Sequence, residues 1–97
     1  MKVQDYKFYN DLISQIVVEE VWLFGSRARN DNQDRTDIDL AIVCHNATTK
    51  DWLKLQEIVD NADTLLKIDC IRLDELEDSS DLKLSIIREG VKLYERS

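Results

Sequence analysis

The sequence has no proline, two glycines, two cysteines and one histidine in 97 residues. Without proline there is no obvious hinge or rigid linker, and no repeat or low-complexity stretch interrupts the chain, so residues 1–97 read as a single domain. Cys44 and Cys70, with His45 as the lone histidine, cannot supply a four-ligand zinc set, and their spacing suggests no disulfide framework; two reduced, buried thiols are expected. No apolar run approaches the roughly 20 residues that span a bilayer, and residues 1–10 are polar rather than signal-like, which predicts a cytoplasmic protein with no membrane partner. Basic side chains are scarce as well. Thirteen Lys and Arg against 20 Asp and Glu leave a formal charge of −7, a field that repels nucleic acid and anionic membrane. Direct polynucleotide binding is therefore not expected, and any phosphate site must be built locally. A chain this short buries only about two thirds of its unfolded surface, which leaves room for one sheet and a few helices but no separate substrate domain.

Within those limits the hydrophobic pattern is legible. Tyr6, Tyr9, Leu12, Ile13, Ile16 and Val17 recur at three- and four-residue steps and predict a helix over 6–17 that covers a sheet. Residues 21–24 (Val-Trp-Leu-Phe) form a short apolar run stopped by Gly25, which suits a buried strand. Over 37–44 the period falls to two: Ile38, Leu40, Ile42 and Cys44 share one face, while Asp37, Asp39, Ala41 and Val43 take the other. Thr48 and Asp51 make a capping box that opens a helix over 49–61, with Trp52, Leu55, Val59 and Ala62 in register. Residues 66–73 read as a third strand. An acidic segment over 74–81, with five carboxylates in eight residues, leads into a helix over 82–89 that Gly90 terminates, and 91–94 reads as a short edge strand. The alternation indicates an α/β or α+β sheet with helices packed on it.

Three features carry chemistry. Asp37 and Asp39, at i and i+2 where a strand begins, project from one side about 7 Å apart, close enough to share divalent cations and close enough to repel without them. The plain alternative is a solvated strand end. Gly25-Ser26 follows a strand directly and precedes the possible helical turn Arg27-Ala28-Arg29. Such a turn offers backbone N–H groups and a hydroxyl to an anion, with Arg27 or Arg29 as counter-charge; the alternative is an ordinary turn. Asp69 interrupts the apolar strand over 66–71, where an unpaired charge is expensive. It either completes a three-carboxylate metal site with Asp37 and Asp39, or faces water at a sheet edge, or pairs with Lys67 or Arg72. His45 reads as a surface residue, Trp22, Phe24 and Trp52 as packing, and the 74–81 cluster as a solvated loop and helix start.

Gly25-Ser26, ten intervening residues, Asp37-Ile38-Asp39 and a later strand aspartate resemble the DNA polymerase β-like nucleotidyltransferase superfamily. Phe24-Gly-Ser-Arg-Ala-Arg29, Thr36-Asp-Ile-Asp-Leu-Ala-Ile42 and Ile87-Arg-Glu-Gly-Val-Lys-Leu-Tyr94 are similar to the minimal nucleotidyltransferases of prokaryotes, over nearly the whole chain. The resemblance implies a mixed sheet flanked by helices, two Mg²⁺ ions and transfer of a nucleoside monophosphate to an acceptor hydroxyl. It implies that Asp37 and Asp39 hold both metals, that Asp69 ligates the catalytic one and helps deprotonate the acceptor, that Gly25 and Ser26 hold the β- and γ-phosphates, and that Arg29 contacts phosphate. Asn30 and Thr36 depart from the glycine and serine usual at those places, but Asn tolerates left-handed backbone and Thr keeps the hydroxyl. Minimal members are often encoded with a HEPN-domain toxin and act as its antitoxin, transferring AMP from ATP to a tyrosine that silences the toxin's RNase activity. That protein AMP transfer, in a type VII-like toxin–antitoxin pair, is the leading implied function. Nucleotidylation of a small-molecule hydroxyl and neutralisation of the partner by binding alone are the alternatives, and a homo- or hetero-oligomer is compatible with the exposed edges of so small a sheet.

Overall fold

The computed structural model describes residues 2–28 and 37–96, the side chain of Ser26 excepted. Its centre is β2 (Ile38–Val43), where strict alternation buries both faces: Ile38, Leu40, Ile42 and the following Cys44 on one side, Ala41 and Val43 on the other. β1 (Glu20–Phe24) runs antiparallel to β2, and β3 (Ile68–Arg72) runs parallel to it on the far side. β4 (Val91–Glu95) pairs antiparallel with β1, giving the mixed order β3-β2-β1-β4. A parallel neighbour needs a long crossover, and α2 (Thr49–Asp60) supplies it. The 91–94 segment is thus an edge strand as expected, and β3 is the other edge.

One face of the sheet is covered by α1 (Lys7–Ile13) and α2. Phe8, Tyr9 and Leu12 from the first and Leu55 and Val59 from the second close over Val21, Ile38, Leu40 and Ile42. The capping box forms: Thr48 Oγ1 accepts from the Asp51 amide at 3.1 Å, and the Asp51 carboxylate accepts from the Thr48 amide at 3.0 Å. On the opposite face α3 (Asp81–Glu89) packs Ile86 against Ala41, Val43 and Leu73, beside Trp22 and Phe24. Ser80 caps it through the Lys83 amide at 3.3 Å. Gly90 ends the helix with φ of −75°, so left-handed backbone is not its reason. A Cβ there would collide with the Ile86 carbonyl and come within 3.1 Å of the Leu23 carbonyl, so glycine lets α3 finish hard against β1.

Three expectations are corrected by tertiary contacts. The first helix stops at Ile13 rather than 17, and Ile16 is 82 % exposed. The chain has to turn there to bury Val18 and enter β1, and the carbonyls left over are taken by the Arg96 guanidinium. It donates to Val18, Ile13 and Gln15 at 3.0, 3.1 and 3.1 Å. The 74–81 segment is not solvated throughout. The Asp74 side chain is 4 % exposed, accepting from Arg72 Nε at 3.1 Å and from the Cys44 amide at 2.9 Å. Arg72 in turn donates to the Cys44 and Ala47 carbonyls at 2.9 and 3.3 Å, tying the ends of β2 and β3 together. Burial alone would raise the Asp74 pKa, but the Cys44 amide and the guanidinium outweigh it and hold it below the usual range. Cys44 is fully buried but Cys70 only partly so; both are free, and burial pushes each thiol up to about 12.

Candidate functional site

The site forms where β1, β2 and β3 present their ends on the face shared with α3. Gly25 follows β1 with φ of +75°, a conformation that L side chains resist, and opens the 3₁₀ turn Gly25–Arg27. Phe24 is the register partner of Asp39, so this turn lies directly over that carboxylate. A Cβ on Gly25 would overlap Asp39 Oδ2 and sit 3.2 Å from its Cγ. Glycine is required there twice over, by its dihedral and by the closeness of the aspartate.

Parallel pairing places Asp39 beside Asp69, and period-two alternation puts both on one face with Asp37 two residues before. The consequence is electrostatic. The Asp39 pKa is raised, first by its partial burial, then by the negative charges of Asp69 and Asp37 and by a side-chain hydrogen bond with Asp69; Lys67 opposes the shift. Of the alternatives open for Asp69, the sheet edge and the Lys67 pairing are observed: β3 is an edge strand, the carboxylate is 49 % exposed, and Lys67 Nζ stands 3.8 Å away.

Among the described residues no three His, Cys, Asp or Glu side chains are gathered into a ready-made metal cage. The donor chemistry nevertheless fits a hard divalent cation. Carboxylate oxygens are the ligands Mg²⁺ takes, and a cation between Asp39 and its neighbours would offset the repulsion that raises the Asp39 pKa. Arg29, Thr36, Asn30 and the Ser26 side chain lie outside the described residues. Arg27, a candidate counter-charge, is buried at 7 % exposure. His45 is at the surface, its ring nitrogen 3.2 Å from Glu19, and has no part in the site.

Sequence reasoning did not anticipate what α3 contributes. Leu82, Ser85 and Glu89 line a cavity of about 200 Å³ together with Phe24, Gly25 and Gly90, so the turn over Asp39 has a pocket on its α3 side. Those residues lie more than fifty positions from the turn, and only their i, i+3, i+7 stripe hinted at a common direction. A larger cavity, about 610 Å³, runs along the outer side of α2 past Lys50, Leu53 and Glu57, and shares no residue with the carboxylates.

A mixed sheet with a glycine turn leaning on the first of two crowded strand carboxylates defines a nucleotide-transfer scaffold, and sequence comparison agrees. Residues 8–97 match the family of polymerase β nucleotidyltransferases, and the chain belongs to that family. No curated protein matches it. Among solved structures it is similar to a toxin–antitoxin crystallised with AMP-PNP, with 18 % identity, TM-score 0.62, and 93 % of this chain and 73 % of that one covered. It is similar too to a double Asp-to-Glu mutant of the toxin–antitoxin MntA-HpeT, with 18 % identity, TM-score 0.58, and 94 % and 70 % covered. A Sulfolobus solfataricus protein assigned as a nucleotidyltransferase shares 20 % identity at TM-score 0.57, with 93 % and 76 % covered. At these identities the likeness is one of fold.

Proposed function

We propose that this single-domain protein is a Mg²⁺-dependent nucleotidyltransferase that moves AMP from ATP to a tyrosine hydroxyl of a HEPN-domain toxin and is the cytoplasmic antitoxin of that pair. The observation that supports the reading is the pairing of Asp39 with Asp69 on one sheet face against the Gly25 turn, with the negative charge of Asp37 felt at Asp39. Two similar structures are of toxin–antitoxins, one with an ATP analogue and one with two aspartates changed to glutamate, and both facts support it.

In this reading the backbone of the Gly25 turn, with Ser26 and Arg29, holds the β- and γ-phosphates. Asp37 and Asp39 anchor the metals, and Asp69, at the exposed edge, faces the incoming acceptor and takes the proton from its hydroxyl. The acceptor oxygen then bonds to the α-phosphorus as the bond to the β-phosphate oxygen breaks, and pyrophosphate departs. Bound Mg²⁺ supplies acidification of the acceptor and neutralisation of charge on the leaving group. The Asp39–Asp69 pair is suited to this because the crowded negative charge that raises the Asp39 pKa is what a divalent cation would offset.

Incubation with labelled ATP, Mg²⁺ and a co-encoded HEPN-type protein tests the reading. Label on a partner tyrosine that disappears with Asp37→Ala plus Asp39→Ala is the expected result. Label confined to small molecules would point to a different acceptor, and a double variant that still neutralises the toxin in cells would point to binding alone. Equal turnover of ATP, GTP, CTP and UTP would remove the adenine assignment.

A further inference from the structure

We propose that the outward face of α3 is the surface on which the acceptor protein docks, and that this acceptor presents an apolar patch rimmed by Lys or Arg. The inference rests on the transfer reading above and assigns to it a surface. Leu82, Leu84, Ile87 and Val91 are 43, 51, 51 and 45 % exposed within ten consecutive residues. Among the described residues, the other exposed large apolar side chains, Ile16, Leu53 and Leu65, stand apart from one another on different segments. Of these, Leu84 and Ile87, three residues apart on α3, lie on one outward side of the helix, whereas Leu82 turns toward the cavity and Val91, paired with Leu23, lies on the other face of the sheet.

Charge selects the partner. The cations next to the patch are already engaged: Lys83 lies 2.8 Å from Asp78, Arg88 3.9 Å from Glu89, and Lys92 3.0 Å from Glu95. Glu77 and Asp81, also exposed, add to the carboxylates at the rim. A second copy of this chain would bring the same carboxylates and another formal charge of −7 against them, whereas a basic rim is attracted. Position selects the role. α3 shares its sheet face with Asp39, and its Leu82, Ser85 and Glu89 flank the cavity that reaches Gly25. A protein seated on Leu84 and Ile87 covers the helix that lies over the carboxylate-bearing face of the sheet, and reaches the carboxylates past the edge of α3.

The test compares wild type with Leu84→Asp plus Ile87→Asp, both exposed positions, after circular dichroism and thermal melts show the fold retained. Binding to the co-encoded HEPN-type protein is measured by calorimetry at two salt concentrations, alongside ATP binding and label transfer. Expected are a Kd weakened by about tenfold or more, the scale for losing an interface anchor, unchanged ATP affinity, and a wild-type Kd that weakens with salt. Asp81→Lys should weaken the complex in the same direction. Wild-type affinity in the double variant overturns the docking surface and leaves the transfer reading intact if label still reaches the partner. Loss of binding in that variant when the wild type transfers no label leaves docking standing and removes transfer. No complex at all between wild type and that protein, or a homodimer in sedimentation that the double variant dissociates, also overturns the proposal.

Discussion

Asp39 is held in an environment that disfavours its charge, and the cause is its neighbours as well as its burial. Because its folded pKa lies above the ordinary value, ionisation favours the unfolded chain. The contribution to stability is present at low pH and is lost as pH rises through the folded pKa. Asp39→Asn is accordingly expected to raise the melting temperature at neutral pH in a chelator, with the gap to wild type closing on acidification. Added Mg²⁺ should raise the melting temperature of wild type more than that of the variant. Transfer activity should fall on the order of 10²- to 10³-fold, the scale for removing one charge-stabilising group. Thermal melts with and without Mg²⁺ and the labelled-ATP assay read all three. Gly25→Ala has no such compensation. Positive φ costs about 1–2 kcal/mol for an L residue, and the new methyl must also displace the Asp39 carboxylate. Urea melts should show that loss, and transfer should fall with it.

Individual elements were mostly readable from the chain because their signals are local. β2 declared itself by alternation, α2 by the Thr48–Asp51 box, and β4 by its place after Gly90; no observed end differs from expectation by more than one residue. The period of the first helix runs on through Ile16 and Val17, while the helix stops at Ile13 and Arg96, about eighty residues away, takes the carbonyls of Ile13, Gln15 and Val18. Asp74 was hidden in an acidic run: its partners Arg72 and Cys44 lie on two strands that only the fold brings together. Removing one member of a buried pair leaves the other uncompensated, so Asp74→Ala is expected to cost about 3 kcal/mol in urea unfolding at neutral pH. The folded Asp74 pKa is lowered, so its stabilisation is present above the ordinary Asp pKa and lost as pH falls through the folded one. The difference between wild type and variant should shrink on acidification.

At the scale of the molecule, the sheet has, among the described residues, a thick layer of two helices on one side and α3 with a short 3₁₀ turn on the other. The whole measures 34 × 31 × 23 Å, and the carboxylates lie on the thinly covered face. The described residues thus hold a shallow site with one small cavity beside it, and an acceptor brought by another molecule suits that shape. Net charge acts at this scale too. With a formal charge of −7, self-repulsion opposes the compact state, so the melting temperature should rise as ionic strength goes from about 0.01 to about 0.1 M, over which the Debye length falls from about 30 to about 10 Å. A flat response by scanning fluorimetry would show that the charges are already balanced by local pairs.

The sequence by itself determined the elements, the mixed apolar and acidic faces of β2, the glycine turn and its ten-residue spacing to Asp37, because periodicity, capping and turn chemistry act between residues a few positions apart. Only the tertiary structure decided that Asp69 stands beside Asp39, at an exposed edge next to Lys67 rather than in the core. Only it decided that Gly25 leans on the Asp39 carboxylate, and that α3 turns apolar side chains to solvent beside that site. Strand order and register set those distances, and neither is written in the spacing of residues along one strand.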